Sequence, residues 1–144
     1  MLWASPWLIA RFGIRRIFVF GVVAWTIRYL LLTVGSYYQL DSPIYAAILL
    51  HGACYVFVYI VGVLYVDHLV GGQHRGVAQG MYSFATSGVG HLLGALMVGI
   101  AQARYLTPEG ISPAPYHWPE FWLVPAVFGV ATIVVFQLFF RPVH

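Results

Sequence analysis

Three side chains that can bind a flat polar molecule recur at intervals of four residues in the second apolar stretch of the sequence. His51, Tyr55 and Tyr59 therefore share one face of a helix, and Gly62 lies close to the same line. Aromatic rings stack on flat ligands, while an imidazole and hydroxyls form hydrogen bonds with polar edges. The pattern predicts a site for a purine, a pyrimidine or another polar ring. The alternative interpretation is a helix–helix contact whose hydroxyls are satisfied within the protein.

Arg28 places a positive charge inside the first apolar stretch. It stands twelve residues after Arg16, which is about 18 Å along a helix. Charged groups are costly within a bilayer and mark functional positions. One interpretation is that Arg28 faces a substrate path or an acidic partner on another helix. The other is that its long stem carries the charge to the outer interface beside Tyr37 and Tyr38.

Two further pairs of residues have predicted structural or gating roles. Asp67 and Arg75 flank a short loop and can form an ion pair in one conformational state and separate in another. The alternative is a solvated loop whose charge only sets the orientation of the helices. Gly90 and Gly94 form a G-x-x-x-G pattern in the third apolar stretch. Because small residues let helix backbones approach closely, they predict helix packing rather than ligand contact.

The sequence offers no set of residues that would carry out a reaction. It has no Cys/His cluster with metal-ligand spacing, no phosphate-binding loop and no nucleophile elbow. We therefore expect no enzyme activity, no catalytic residue, no metal site and no cofactor. Asp67 and Glu120 lie at the ends of apolar stretches, and no acid lies deep within one. A proton relay would have to use His51, His91 or a carboxylate outside this chain.

The composition indicates an integral membrane protein. Of the 144 residues, 61% are hydrophobic and 8% are charged, whereas a soluble domain carries about 25% charged residues. The net charge of +3 is too small and too scattered for a nucleic-acid interface.

Four apolar stretches are long enough to span a bilayer as helices, a length of about 20 residues. They cover residues 17–34, 44–66, 77–103 and 121–140. The strict alternation of a membrane β-strand is absent from them. Residues 1–10 are apolar but too short to span, and we expect them to form the tail of a preceding helix. The alternative for residues 1–10 is an interfacial anchor that uses Trp3 and Trp7.

Arginine placement predicts the orientation of the four spans. Loops rich in positive charge stay in the cytoplasm. Five arginines lie on one side of the predicted spans and one lies on the other: Arg11, Arg15, Arg16, Arg75 and Arg141 against Arg104. We therefore expect a multi-pass protein of the inner membrane with both termini in the cytoplasm.

Several ordered motifs resemble one family of transporters. The sequence ARFGIRR at 10–16 resembles the basic loop motif of the major facilitator superfamily, with Ala10 at the position of its acid. The other matches resemble the C-terminal third of the nucleoside:proton symporter family within that superfamily. They are AWTIRY at 24–29, HGACYVFVYIVGVLYVD at 51–67, RGVAQGMY at 75–82, SGVGHLLG at 87–94 and FW at 121–122.

The resemblance implies an all-α integral membrane fold, with the four spans as helices 9–12 in the C-terminal half of a twelve-helix transporter. Its implied partners are a nucleoside, protons, the lipid bilayer and the N-terminal helices of the same transporter. The family's tenth helix carries an aromatic–Asp–aromatic sequence that contacts the nucleoside. By position, its aromatic residues are Tyr55 and Phe57, and its acid falls on Val56; His51 and Tyr59 flank them.

The four spans alone cannot form the two halves that such a transporter rocks about its substrate. We therefore expect this chain by itself to be inactive in transport. The alternative is a complete four-helix scaffold or assembly protein without transport activity.

Overall fold

The computed structural model describes residue 7 and residues 11–105 and 117–139, and these ranges contain helices and no strand. Four helices are long and apolar enough to cross a membrane. They are α1 (Ile14–Tyr38), α2 (Asp41–Leu69), α3 (Gly72–Tyr105) and α4 (Trp118–Phe139). Each exceeds the length of about 20 residues that a bilayer requires. The prediction of an all-helical membrane fold with four spans is confirmed.

The helices extend past the apolar stretches that predict them. Gly13, with a φ of 76°, precedes the first residue of α1, and Gln39 adopts a left-handed conformation at its end. The Leu40 backbone N–H then donates to the Gly35 carbonyl at 3.0 Å, which leads directly into α2. Hydropathy identifies the lipid-embedded middle of a helix and not its polar and aromatic ends. The observed helices are therefore longer than the apolar stretches. Residue 140, Arg141 and residues 1–10 apart from Trp7 lie outside the described residues.

Helix α1 is the centre of the packing, with α2 on one side and α4 on the other. Small residues bring the helices together. A Cβ atom on Gly21 would lie 2.8 Å from the Phe57 Cβ of α2, and one on Gly35 would lie 2.7 Å from Ile44. A Cβ on Gly129 of α4 would overlap the Thr26 hydroxyl. The absence of side chains at these glycines therefore sets the spacing of α1, α2 and α4.

Helix α3 is the least covered of the four helices. Only 6% of its most apolar 18-residue window is buried, against 28% for α1. A Cβ on Gly94 would meet nothing within 4 Å, and one on Gly90 would meet only a carbonyl of its own helix. Within the described residues, the G-x-x-x-G face is therefore open. The role of Gly90 and Gly94 in helix packing stays a prediction, and it concerns contacts with helices other than these four.

Two segments depart from α-helical hydrogen bonding. Val56–Ile60 in α2 and Phe84–Gly90 in α3 are π-helical. In α2 the Val61 backbone N–H reaches the Val56 carbonyl, five residues back. Such segments are rare and are concentrated at functional positions. Both lie near the middle of their helices, and the first begins directly after Tyr55.

Candidate functional site

The two tyrosines of α2 stack on each other at the start of the π-helical segment. The ring centroids of Tyr55 and Tyr59 are 5.2 Å apart, and the ring planes differ by 18°. Tyr55 is 53% exposed. Neither hydroxyl forms a hydrogen bond with another described residue. The pair therefore presents an accessible aromatic surface with free polar groups at its edge.

A third tyrosine, from α3, extends this ring pair into a row. The Tyr82 ring centroid lies 6.0 Å from that of Tyr59, at an interplanar angle of 50°. Its hydroxyl donates a hydrogen bond to the Tyr59 carbonyl at 3.4 Å. A Cβ atom on Gly62 would overlap this hydroxyl, so the position has room for Tyr82 because residue 62 is glycine. We name Tyr55, Tyr59 and Tyr82 the tyrosine row.

The sequence interpretation missed the position of Tyr82 in this row. The available signal was Gly62, which lies close to the line of His51, Tyr55 and Tyr59 but has no side chain to continue it. A gap of this kind indicates that another helix supplies the missing group, although it does not say which residue. The structure shows that the group is the phenol of Tyr82.

A second hydrogen bond joins α3 to α2 one turn further along. The Gln79 Nε2 donates to the Val63 carbonyl at 3.0 Å. Together, the Gln79 amide and the Tyr82 hydroxyl satisfy carbonyl groups in and just after the π-helical segment. Hydrogen bonds between helices strengthen association where lipid supplies no hydrophobic driving force. They hold the tyrosine row in a fixed geometry.

The other predicted site residues of α2 lie around the row in different environments. His51 is exposed one turn before Tyr55 and forms no hydrogen bond with another described residue. Val56, at the position of the family's acid, is 9% exposed. Phe57 packs on Gly21 of α1. The structure therefore leaves His51 and Tyr55 accessible and turns Val56 and Phe57 towards the protein.

His91 is a further ionisable group in the middle of a span. It follows the π-helical segment of α3, and its Nδ1 lies 2.9 Å from the Ser87 carbonyl. A carbonyl only accepts hydrogen bonds, so Nδ1 carries a proton in this geometry. The Nε2 atom is then the position at which the neutral ring can bind a second proton.

Arg28 lies on α1 with its side chain against the protein. Its Nε is buried and has no hydrogen-bond partner among the described residues. The guanidinium Cζ is 5.2 Å from the centre of the Tyr29 ring. That ring in turn stacks on Trp122 of α4 at 6.2 Å.

Asp67 and Arg75 form the ion pair that their spacing suggested. The Arg75 Nε is 3.0 Å from the Asp67 Oδ1, and the two side chains are 57% and 36% exposed, respectively. The pair closes the short connection between α2 and α3.

An apolar cavity of about 170 Å³ lies beside the tyrosine row, towards the start of α1. It is lined by Ile14, Arg15, Phe18, Val61, Gly62, Tyr65, Val66, Tyr82 and Phe136. Because its walls are almost entirely apolar, it does not match a polar ring with several hydrogen-bonding edges. The accessible faces of Tyr55 and His51 are the better candidate site.

Comparison with known proteins places the whole chain in one family. A family model described as "Nucleoside H+ symporter" matches residues 1–144. The putative nucleoside transporter YegT of Escherichia coli is 32% identical over 96% of this chain and 33% of its own length. The nucleoside permease NupG of the same organism is 28% identical, and its xanthosine permease is 27% identical.

The fold agrees with that of a solved relative. The crystal structure of a NupG variant, in which one aspartate is replaced by alanine, matches with a TM-score of 0.83 and 27% identity. The match covers 97% of this chain and 34% of that chain. This chain thus spans about a third of the length of the relatives it matches. It is a multi-pass membrane protein with transporters as its relatives, and it belongs to the nucleoside H+ symporter family.

Proposed function

We propose that these 144 residues are helices 9–12, in the C-terminal half, of a twelve-helix transporter that moves a nucleoside together with protons. Family membership over the whole chain supports the substrate class and the coupling. The relatives are about three times as long, which supports a role as one part of a larger assembly. The arginine distribution supports an inner-membrane location with both termini in the cytoplasm.

The nucleoside site in this proposal is the exposed end of the tyrosine row. The base stacks on Tyr55, while the Tyr55 and Tyr59 hydroxyls and the His51 imidazole form hydrogen bonds with its polar edges. One observation carries this assignment: Tyr55 and Tyr59 stack at 5.2 Å, and their hydroxyls have no partner among the described residues. Val56, at the position of the family's acid, is apolar and turned towards the protein, so ribose or base contacts must come from the other groups.

His51 and His91 are the proposal's candidates for carrying protons within this chain. A histidine ring has two nitrogen atoms through which it can accept and donate a proton. Neither acts alone: transport in this fold requires two halves that rock about a central site. We therefore propose that the isolated chain binds a nucleoside weakly and moves none.

The first experiment measures binding of radiolabelled nucleosides to the purified chain in lipid nanodiscs. We expect saturable binding that unlabelled nucleoside displaces, with affinity reduced about tenfold or more in Tyr55→Ala, as loss of a stacked base predicts. His51→Ala removes one hydrogen bond and should reduce affinity less. Tyr45→Ala is the matched control, because Tyr45 is an exposed tyrosine of the same helix away from the row.

Transport itself is tested in a fusion in which residues 1–144 replace the matching third of NupG. Nucleoside uptake by this fusion, and its loss in Tyr55→Ala with normal membrane insertion, would support the proposal. Equal uptake or binding by wild type, Tyr55→Ala and His51→Ala would assign these two side chains to helix packing instead.

A further inference from the structure

Arg28 is a cation near the middle of a spanning helix. It stands fourteen residues after Ile14 and ten before Tyr38, the two ends of α1. These separations correspond to about 21 Å and 15 Å along the helix. The side chain therefore begins well inside α1 and not at either of its ends.

The guanidinium is held beside the protein and forms no ion pair with the part of the chain that the structure describes. Its Nε is buried without a hydrogen-bond partner among the described residues. Its ring contact is with Tyr29 at 5.2 Å, rather than with Tyr37 or Tyr38 at the helix end. Arg28 thus lies beside the Tyr29–Trp122 stack that joins α1 to α4.

No acid that the structure describes lies within ion-pair distance of Arg28. Asp67 pairs with Arg75 at 3.0 Å, and Glu120 lies 3.7 Å from His117. Asp41 is the first residue of α2, at the membrane boundary. The chain's remaining acid, Glu109, lies outside the described residues and outside the apolar stretches.

A guanidinium in this position that pairs with none of the described acids is destabilising. Removing a charge from water is costly unless a partner and hydrogen bonds offset the loss. Charged side chains within spans accordingly pair with one another or with backbone carbonyls. The cation–π contact with Tyr29 offsets only part of this cost.

We propose that Arg28 binds a carboxylate on a membrane-spanning helix outside these 144 residues. A carboxylate matches the planar, forked donors of a guanidinium in a bidentate geometry. About two thirds of each matched relative lies outside the matching segment. A protein of that length has room for further membrane-spanning helices. The interaction docks α1 to that helix, and the proposal requires no nucleoside.

The test measures association between the purified chain and a synthetic transmembrane helix in phosphatidylcholine vesicles by fluorescence energy transfer. The probe is a leucine–alanine helix with one central glutamate, and its control carries glutamine at the same position. We expect the wild-type chain to bind the glutamate helix about tenfold more tightly than the glutamine helix. In Arg28→Met this preference should disappear, and in Arg28→Lys a smaller preference should remain.

Arg104→Met is the matched control, because Arg104 lies in the last turn of α3 rather than within a span. It should keep the full preference for glutamate. If Arg28→Met does not fold, as judged by circular dichroism, the affinities of the wild-type chain and of Arg28→Lys for the two probe helices still test the proposal. Equal binding of both probes to the wild-type chain would overturn the proposal.

A second arm distinguishes a helix carboxylate from a lipid phosphate. The measurement is repeated in vesicles that contain phosphatidylglycerol. The preference for the glutamate helix should persist, since the Nε of Arg28 is buried against the protein. If the preference is lost in vesicles with phosphatidylglycerol but kept in phosphatidylcholine alone, the guanidinium reaches anionic lipid instead. That result would also overturn the proposal. Because no nucleoside is present, this result is independent of the proposed transport function.

Discussion

The Nε of Arg75 lies 3.0 Å from the Oδ1 of Asp67, and this ion pair joins two helix ends that each carry the unfavourable charge. Asp67 is near the C-terminus of α2, which ends at Leu69. Arg75 begins the α-helical part of α3. A helix end favours the opposite sign in both cases: cations at the C-terminus and anions at the N-terminus. Each charge is therefore stabilised by its partner across the loop and not by its own helix.

Exchanging the two charges should make the chain more stable. In Asp67→Arg/Arg75→Asp the pair can still form, and both charges now match their helix ends. We expect the free energy of unfolding to rise by about 1 kcal/mol, from two contributions of about 0.3–1 kcal/mol each. It is measured by titration with sodium dodecyl sulfate in mixed micelles, at low and high salt.

The single variants provide the control for this exchange. Asp67→Asn should lower the free energy of unfolding by less than about 1 kcal/mol, because the pair is exposed. In the NupG fusion, a stabilised exchange variant with reduced uptake would indicate that the native charges serve gating. An exchange variant less stable than Asp67→Asn would show that the helix ends do not control the pair.

Gly62→Ala should loosen the contact between α2 and α3. The added methyl group would overlap the Tyr82 hydroxyl, and overpacking of this kind costs about 1–3 kcal/mol. Removing that hydroxyl should relieve the closest overlap and leave a contact of 2.8 Å with the ring Cζ. Gly62→Ala/Tyr82→Phe is therefore expected to be more stable than Gly62→Ala. The unfolding titration described above measures both variants.

Gly99→Ala is the matched control, since a Cβ on Gly99 would meet nothing within 4 Å. It should leave stability unchanged or raise it by up to about 1 kcal/mol, through the higher helix propensity of alanine. Equal destabilisation by Gly62→Ala and Gly99→Ala would contradict the specific contact with Tyr82.

The two hydrogen bonds from α3 to α2 should act together. Gln79→Leu and Tyr82→Phe each remove one donor, and each should cost about 0.6 kcal/mol, the average for hydrogen bonds between membrane helices. The double variant should expose the start of α3 to limited proteolysis. Thr132→Val is a control, because the Thr132 hydroxyl bonds within its own helix, to the Phe128 carbonyl. Unchanged proteolysis of the double variant would mean that apolar contacts alone hold α3.

Val56→Asp tests the position that corresponds to the family's acid. Val56 is 9% exposed, so an aspartate there should destabilise the isolated chain, because a buried carboxylate lacks solvation. On the proposed function it should also raise affinity for nucleoside in the binding assay. Val56→Asn, with the same shape and no charge, separates the effect of polarity from that of the carboxylate. No gain in affinity with Val56→Asp would remove this position from the site.

Hydropathy and spacing predict much of this architecture. Apolar runs long enough to cross a bilayer as helices define the four spans. An α-helix satisfies its own backbone hydrogen bonds, so such a run is stable in lipid. The four-residue interval between Tyr55 and Tyr59 anticipates their shared face, and the structure stacks their rings. The short, charged segment between Asp67 and Arg75 likewise brings those two residues together.

Other features depend on which helices meet, and sequence periodicity does not specify that. Gly90 and Gly94 stand out as a pattern, yet the close approaches occur at Gly21, Gly35, Gly62 and Gly129. A small residue permits contact but does not name the partner. The place of Tyr82 in the row follows from the register of α3 against α2, which two hydrogen bonds to backbone carbonyls set. The sequence contains both donors without indicating their acceptors.

The π-helical segment Val56–Ile60 changes how the second half of α2 is oriented. One additional residue within a turn corresponds to a rotation of about 100° relative to an uninterrupted α-helix. A helical wheel drawn through all of α2 therefore misplaces every side chain beyond Ile60 with respect to those before Tyr55. The residues beyond Ile60 that continue the face of His51 and Tyr55 therefore differ from those that a regular helical spacing selects. The faces of Val61–Leu69 are therefore rotated relative to those of the first half of α2.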